Sequence, residues 1–134
     1  MSDTDAAYAA GLFDGEGSIA LTRVRAKRWP SPQVSVASGE REVWEWLRTR
    51  SGGVITAKKP RHPTHSISYD WKLTDRRALA FLQVVRPFVV IQRKQVRADL
   101  LLTAYLACTP RNGRYTPELL ERKRALIRQF RSLP

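Results

Sequence analysis

Ala9-Ala10-Gly11-Leu12-Phe13-Asp14-Gly15-Glu16-Gly17 packs five small residues and two carboxylates into nine positions. Small side chains let two backbones approach closely, whereas carboxylates keep to water. The stretch therefore asks for a close contact and an exposed acid side by side. Upstream alanines supply helix propensity, and Asp3 or Thr4 suits an N-cap. This predicts a helix over 3–13, stopped by Gly15 and Gly17. A carboxylate at a helix C-terminus opposes the helix dipole, so Glu16 needs a reason other than helix stability.

Downstream, 18–27 reads as a strand with Ile19 and Leu21 on one face and Ala20, Thr22 and Val24 on the other. Parity would also turn Arg23 and Arg25 inward, which requires the strand to outrun its cover or a bulge to reset it. Trp29-Pro30-Ser31-Pro32 reads as a turn, and 33–37 alternates again with Val34 and Val36 inward, completing a hairpin. Val43, Trp44 and Leu47 give a helix over 40–50, ended by Ser51-Gly52-Gly53. A third strand spans 54–59. The loop Arg61-His62-Pro63-Thr64-His65 leads into the clearest alternation, 66–73, with Ile67, Tyr69, Trp71 and Leu73 on one face. Helices follow at 75–85 and 90–107, the latter anchored by Val96, Leu100 and Tyr105. Thr116-Pro117 opens a last helix to about 131 with Leu119, Leu120, Leu126, Ile127 and Phe130 as its stripe. The expected class is α+β: one domain over 1–134, helices on one face of an antiparallel sheet whose other face is free. Of the four tryptophans, Trp44, Trp46 and Trp71 could stack on bases, but their helical and strand positions favour the core.

Charge is the informative part of the composition. Lys and Arg total 24 against 12 acidic residues, for a net charge of +12, and 18 of the 24 are arginine. Such a domain reads as a polyanion binder with nucleic acid as default partner. The free sheet face would carry Thr22, Gln33, Ser35, Thr56, Lys58, Ser68 and Lys72, flanked by Arg61, short polar groups and cations suited to a DNA major groove. His62 and His65 would sit at a loop tip touching DNA. A lone Cys108 gives no internal disulfide and no cysteine metal site, and points to a reducing, intracellular setting. No apolar run is long enough to suggest a membrane span.

The nonapeptide resembles the motif that names the LAGLIDADG homing endonucleases. Ala10, Gly11, Leu12, Asp14 and Gly17 match it letter for letter, Phe13 is an apolar replacement, and Gly15-Glu16 stands for Ala-Asp. The resemblance spans about 5–107 and implies an αββαββα-type unit with a saddle-shaped antiparallel sheet. It implies that the motif helix packs through Ala9, Ala10, Gly11 and Phe13 against its counterpart in a second copy, making a homodimer on a near-palindromic target. It implies that Glu16, helped by the Gly15 carbonyl, holds Mg²⁺ or Mn²⁺ at the scissile phosphates of double-stranded DNA, and that Asp14 is structural. The activity implied is site-specific, metal-dependent double-strand cleavage by a protein encoded within an intron or intein.

Two positions depart from the family pattern. Gln92 falls where relatives often carry a lysine near the active-site water, with Arg93 or Lys94 as candidates to reach the same space, Lys94 reading rather as a phosphate contact. Ser38 falls where a Gln or Asn often ends the second strand. These departures leave open a cleavage-deficient DNA-binding regulator or RNA maturase of the same fold, and more remotely a structural RNA-binding protein. The expected DNA contacts, taken together, are Thr22, Arg23, Arg25, Lys27, Gln33, Ser35, Thr56, Lys58, Arg61, Ser68, Asp70, Lys72 and Arg93.

Overall fold

The computed structural model describes every residue except Val24, Lys59, Pro60, Arg61 and His65. The expectations for Val24, Arg61 and His65 therefore lie outside the described residues. The order is α1 (Asp3–Glu16), β1 (Gly17–Thr22), β2 (Ser31–Ser38), α2 (Arg41–Ser51), β3 (Val54–Lys58), β4 (Ser68–Thr74), α3 (Asp75–Val85), α4 (Gln92–Ala104) and α5 (Pro117–Ser132), with 3-10 turns at Arg86–Phe88 and Leu106–Cys108. The four strands make one antiparallel sheet in the order β1-β2-β4-β3. The class is α+β, as composition and alternation predict.

Register sorts the two faces. Ile19 lies opposite Val34, and Val36 opposite Trp71, and all four are buried beneath helices. The alternate set, Ser18–Ser35–Lys72 and Ala37–Asp70–Thr56, faces away from them. The core joins the sheet to α1 and α3 through aromatic edges. Phe81 lies 6.3 Å from Phe13 and 5.2 Å from Trp71, centroid to centroid. Trp71 Nε1 donates to the Gly52 carbonyl at 2.7 Å, which ties the α2–β3 turn to the core. Gly53, at φ +105°, passes so close that a Cβ would lie 2.7 Å from the Lys72 carbonyl.

Several boundaries move. Ser2, rather than Asp3 or Thr4, caps α1, its hydroxyl accepting from the Asp5 N–H at 3.1 Å. The helix runs through Gly15 to Glu16, because intrahelical bonds outweigh one glycine's propensity cost of about 1 kcal/mol. β1 stops at Thr22, which removes the parity conflict for Arg23 and Arg25. β2 starts at Ser31, inside the expected turn. Pro32 fits there because it lies past the last residue paired with β4, where β2 has a neighbour on one side only. Ile67 precedes β4 and is half exposed, and Val96 is 42% exposed, so neither is a core anchor. In α5 the buried stripe is Leu126, Ile127 and Phe130 with Lys123 among them, an ammonium where an apolar residue would be expected. Leu119 and Leu120 are only half buried.

Candidate nucleic-acid interface

The end of α1 is fixed from two directions. Gly17 follows the helix directly as the first residue of β1, and a Cβ there would fall 2.5 Å from Phe13 Cδ2. Only glycine permits this abrupt change from helix to strand. Its N–H donates to the Phe13 carbonyl. Lys94 of α4 reaches the same point, Nζ donating to the Phe13 carbonyl at 2.6 Å and the Asp14 carbonyl at 2.7 Å. The Asp14 carbonyl is one of the helix's last and has no backbone donor, the Phe13 carbonyl shares Lys94 with the Gly17 N–H, and a cation there also suits the dipole. In return, the Asp14 carboxylate accepts from the Val90 and Ile91 N–H groups at 2.8 and 3.2 Å, at the start of α4. α1 and α4 thus cap each other.

This geometry sorts the predicted site residues. Asp14 is occupied structurally, in line with its expected role. Glu16 is exposed at the helix end, and no hydrogen bond or salt bridge to the described residues holds its carboxylate. Gln92 and Arg93 are exposed at the start of α4, beside the Asp14 contacts. Lys94 is only 8% exposed and its ammonium is spent on two backbone carbonyls, a placement at odds with the expected reach to water or phosphate. Burial pushes its ammonium below the ordinary lysine range, a trend that the nearby Asp14 carboxylate opposes. Ser38 shares the helix-side parity of Val36, and its Oγ accepts from the Glu40 N–H at 3.0 Å, so it holds the turn into α2.

The expected dimer face also needs correction. Ala9, Ala10 and Phe13 have no exposed surface, because they pack into the protomer's own core. The open side of α1 carries Thr4, Ala7, Gly11 and Gly15, spaced three or four apart. A Cβ built at Gly11 or Gly15 meets nothing within 4 Å. Beside this stripe Tyr8 is half exposed, its ring 4.8 Å from Trp46.

The free face holds the expected polar residues in cross-strand pairs. Ser18 and Ser35 share a hydroxyl–hydroxyl bond of 2.7 Å, Thr22 Oγ1 donates to Gln33 Oε1 at 3.3 Å, and Lys58 Nζ lies 3.3 Å from Asp70 Oδ1. Thr56, Ser68 and Lys72 take the remaining outward positions. At the far end of the sheet from Glu16, Arg25 and Lys27 line a cavity of about 840 Å³, and Arg23 lines a smaller one of about 210 Å³ with Arg124, Arg128 and Arg131. No three His, Cys, Asp or Glu side chains gather among the described residues. No helix among those residues is long and apolar enough to cross a membrane.

Sequence reasoning did not find the Lys94–Asp14 exchange, since its partners are backbone groups some 80 positions away. The open stripe was legible in principle from the spacing of Thr4, Ala7, Gly11 and Gly15.

By sequence the chain matches no protein-family model and no curated protein. Its structure is similar to that of the homing endonuclease I-CvuI in complex with its target in the presence of Ca, with a TM-score of 0.75, 16% identity, and 98% of this chain covering 83% of that one. It is similar to the homing endonuclease I-TnaI at a TM-score of 0.65 and 18% identity, over 98% and 89% of the two chains. Against the meganuclease I-SmaMI bound to uncleavable DNA the TM-score is 0.70 at 19% identity, covering 96% of this chain and 45% of that one, about half its length. With the motif at 9–17 standing at the helix-to-strand junction, the chain has the fold of the LAGLIDADG homing endonucleases.

Proposed function

We propose that the chain belongs to this family by activity as well as fold, as a homodimeric endonuclease that cuts double-stranded DNA at a specific near-palindromic site with a divalent cation. The observation that carries the reading is Glu16: an exposed, unpaired carboxylate on a helix end that two other elements immobilise, in a protein of net charge +12. A carboxylate repels phosphate unless a cation lies between them. The Glu16 carboxylate and Gly15 carbonyl are the oxygen donors that suit Mg²⁺ or Mn²⁺. One protomer offers too few ligands, so a second Glu16 and the phosphate oxygens complete the set. A divalent cation supplies water activation and charge neutralisation at the phosphate.

The protein's own contributions follow from the contacts. Lys94 and Asp14 hold the helix end so that Glu16 does not drift. The stripe Thr4, Ala7, Gly11 and Gly15 admits the partner's helix at close range, and two-fold pairing matches a near-palindromic target. The sheet face, with Lys72, Gln33, Ser35 and Thr56, lies along the major groove. Gln92 offers a polar amide to a water near Glu16. An amide orients water but takes no proton from it, so a bound cation would have to supply the acidity of that water, with bulk solvent as the proton's acceptor. An intracellular, DNA-associated setting goes with this reading.

The test is a duplex library incubated with Mg²⁺ and either the native chain or Glu16→Gln. Native protein cuts both strands of selected targets. The variant binds them equally and cuts at least about a thousandfold more slowly, the loss expected for several kcal/mol of transition-state stabilisation. Tight binding with no cleavage by either protein selects the second reading, a regulator or maturase, which the burial of Lys94 and the neutral Gln92 favour. Gly11→Leu should abolish the dimer in sedimentation without lowering the melting temperature of the protomer, since the position has open space within one copy and leucine is the better helix former. A dimer that survives the change overturns this placement of the interface.

A further inference from the structure

The 840 Å³ cavity lies between the β1–β2 connection, the start of α3 and the segment 109–115. Three separate stretches bring cations to it: Arg25, Lys27 and Arg28 from the first, Arg76 from the second, Arg111 from the third. Its floor is aromatic, with Tyr105 and Tyr115 in the wall and Trp29 at 6.1 Å from Tyr115. Behind that wall Lys123, 1% exposed, donates to Thr109 Oγ1 and lies 3.9 Å from the centroid of the Tyr105 ring. The one acid in the lining, Asp75, accepts from the Tyr105 hydroxyl at 3.4 Å. Asp75 is also the one non-glycine residue with positive φ, 55°, among the described residues, a conformation that costs about 1–2 kcal/mol.

Five lining cations against one engaged acid make an anion site. Its shape is open, and its cations are exposed arginines and a lysine, which suits phosphates that arrive on a polymer. Its place in the fold names the polymer. Ser31 and Thr74 lie on its rim and face the same way as Ser35 and Lys72, so it continues the free face at the end remote from Glu16. The eight residues of β2 span about 26 Å at ~3.3 Å each, or about 8 base pairs at ~3.4 Å, so the cavity meets DNA just beyond that length.

We propose that this cavity binds backbone phosphates of the DNA flanking each half-site, outside the base pairs under the sheet. The proposal rests on the DNA-binding reading above. It adds a clamp, contributed in part by the 109–115 segment and α3, that reads no bases and extends the footprint. Arg76 and Arg111 are its least anticipated members, since neither lies on a strand or in the β1–β2 connection.

The test compares two duplexes carrying one target selected from a random pool: a long one with flanks, and a short one cut to about 16 base pairs, the span of two sheets. Affinity is measured against salt for the native chain and for R76Q/R111Q, with circular dichroism confirming the fold. On the long duplex the double variant should flatten the log–log salt slope by about 1.8, two phosphates' worth. On the short duplex the two proteins should coincide. Equal slopes on the long duplex, or an equal loss on both, overturn the proposal. Saturable binding of inorganic phosphate that R76Q/R111Q removes, with no flank effect on DNA, assigns the cavity to a free phosphate instead and also overturns it. A native chain that binds neither duplex fails the DNA-binding reading itself, an outcome distinct from all of these.

Discussion

The two ends of the sheet solve opposite problems. At the Gly17 end, where α1 meets β1, the last carbonyls of α1 and the N–H groups leading into α4 are held by side chains of the other helix, and Gly17 leaves no room for a methyl group. At the Thr22 end, cations from three segments surround an open cavity whose lining is tied by the Tyr105–Asp75 and Lys123–Thr109 hydrogen bonds and the Trp29–Tyr115 ring contact behind them. The contrast teaches what each charge needs. A carboxylate that orders a reaction must be held within a fraction of an ångström, because misplacement by about 1 Å costs about a hundredfold in rate. Cations that gather phosphates act through summed charge, where number matters more than placement.

Lys94→Met attacks the held end and should have the largest effect on stability. Two helix-end carbonyls lose a charged donor, partly offset by relief of a buried ammonium, for a loss of about 2–3 kcal/mol in urea unfolding. Cleavage should fall more than DNA affinity. An unchanged unfolding midpoint would mean that this end is no more constrained than the other. Changes on the sheet face should do the reverse. Lys72→Ala should leave stability within about 0.5 kcal/mol and flatten the salt dependence of DNA binding by about 0.9. Lys58→Ala should lose more affinity than Lys72→Ala, because it also uncovers the Asp70 carboxylate on the face that meets phosphate. Identical losses would show that the Lys58–Asp70 pair does not shape the surface.

The smallest effect tests an ion pair that serves neither end. Arg86 grips Asp99 through two bonds of 2.6 and 2.9 Å, which hold the Asp99 carboxyl below its ordinary value of 3.8. A depressed carboxyl contributes stability that is fully present above pH 3.8 and is lost as pH falls through the lower, folded value. Asp99→Asn should therefore flatten the acid limb of the stability curve and cost under about 1 kcal/mol at neutral pH, since the pair is partly exposed.

Periodicity carried most of the fold. The alternation through Tyr69, Trp71 and Leu73 and through Val34 and Val36 set the sheet faces, and α3 falls at 75–85 as its spacing predicts. The site was legible where a residue's own position spoke, as with Glu16 against the helix dipole. It was illegible where the partner was a distant backbone group or where a face could be chosen two ways. Lys94 looks like any surface lysine until α4 is laid beside α1. Lys123 interrupts an apolar stripe and shows its purpose only when Tyr105 and Thr109 close over it.

What the sequence determined by itself is the element order, the free polar sheet face, the surplus of arginine and the acid at the end of a small-residue helix. These depend on local spacing and composition, which a linear reading contains. Which side of α1 is open, how its last carbonyls are satisfied and which cations share a cavity were decided by the tertiary structure alone. Small residues on both sides of a helix look equivalent in sequence, and only packing shows that Ala9 and Ala10 fill the protomer's core while Ala7, Gly11 and Gly15 are left outside.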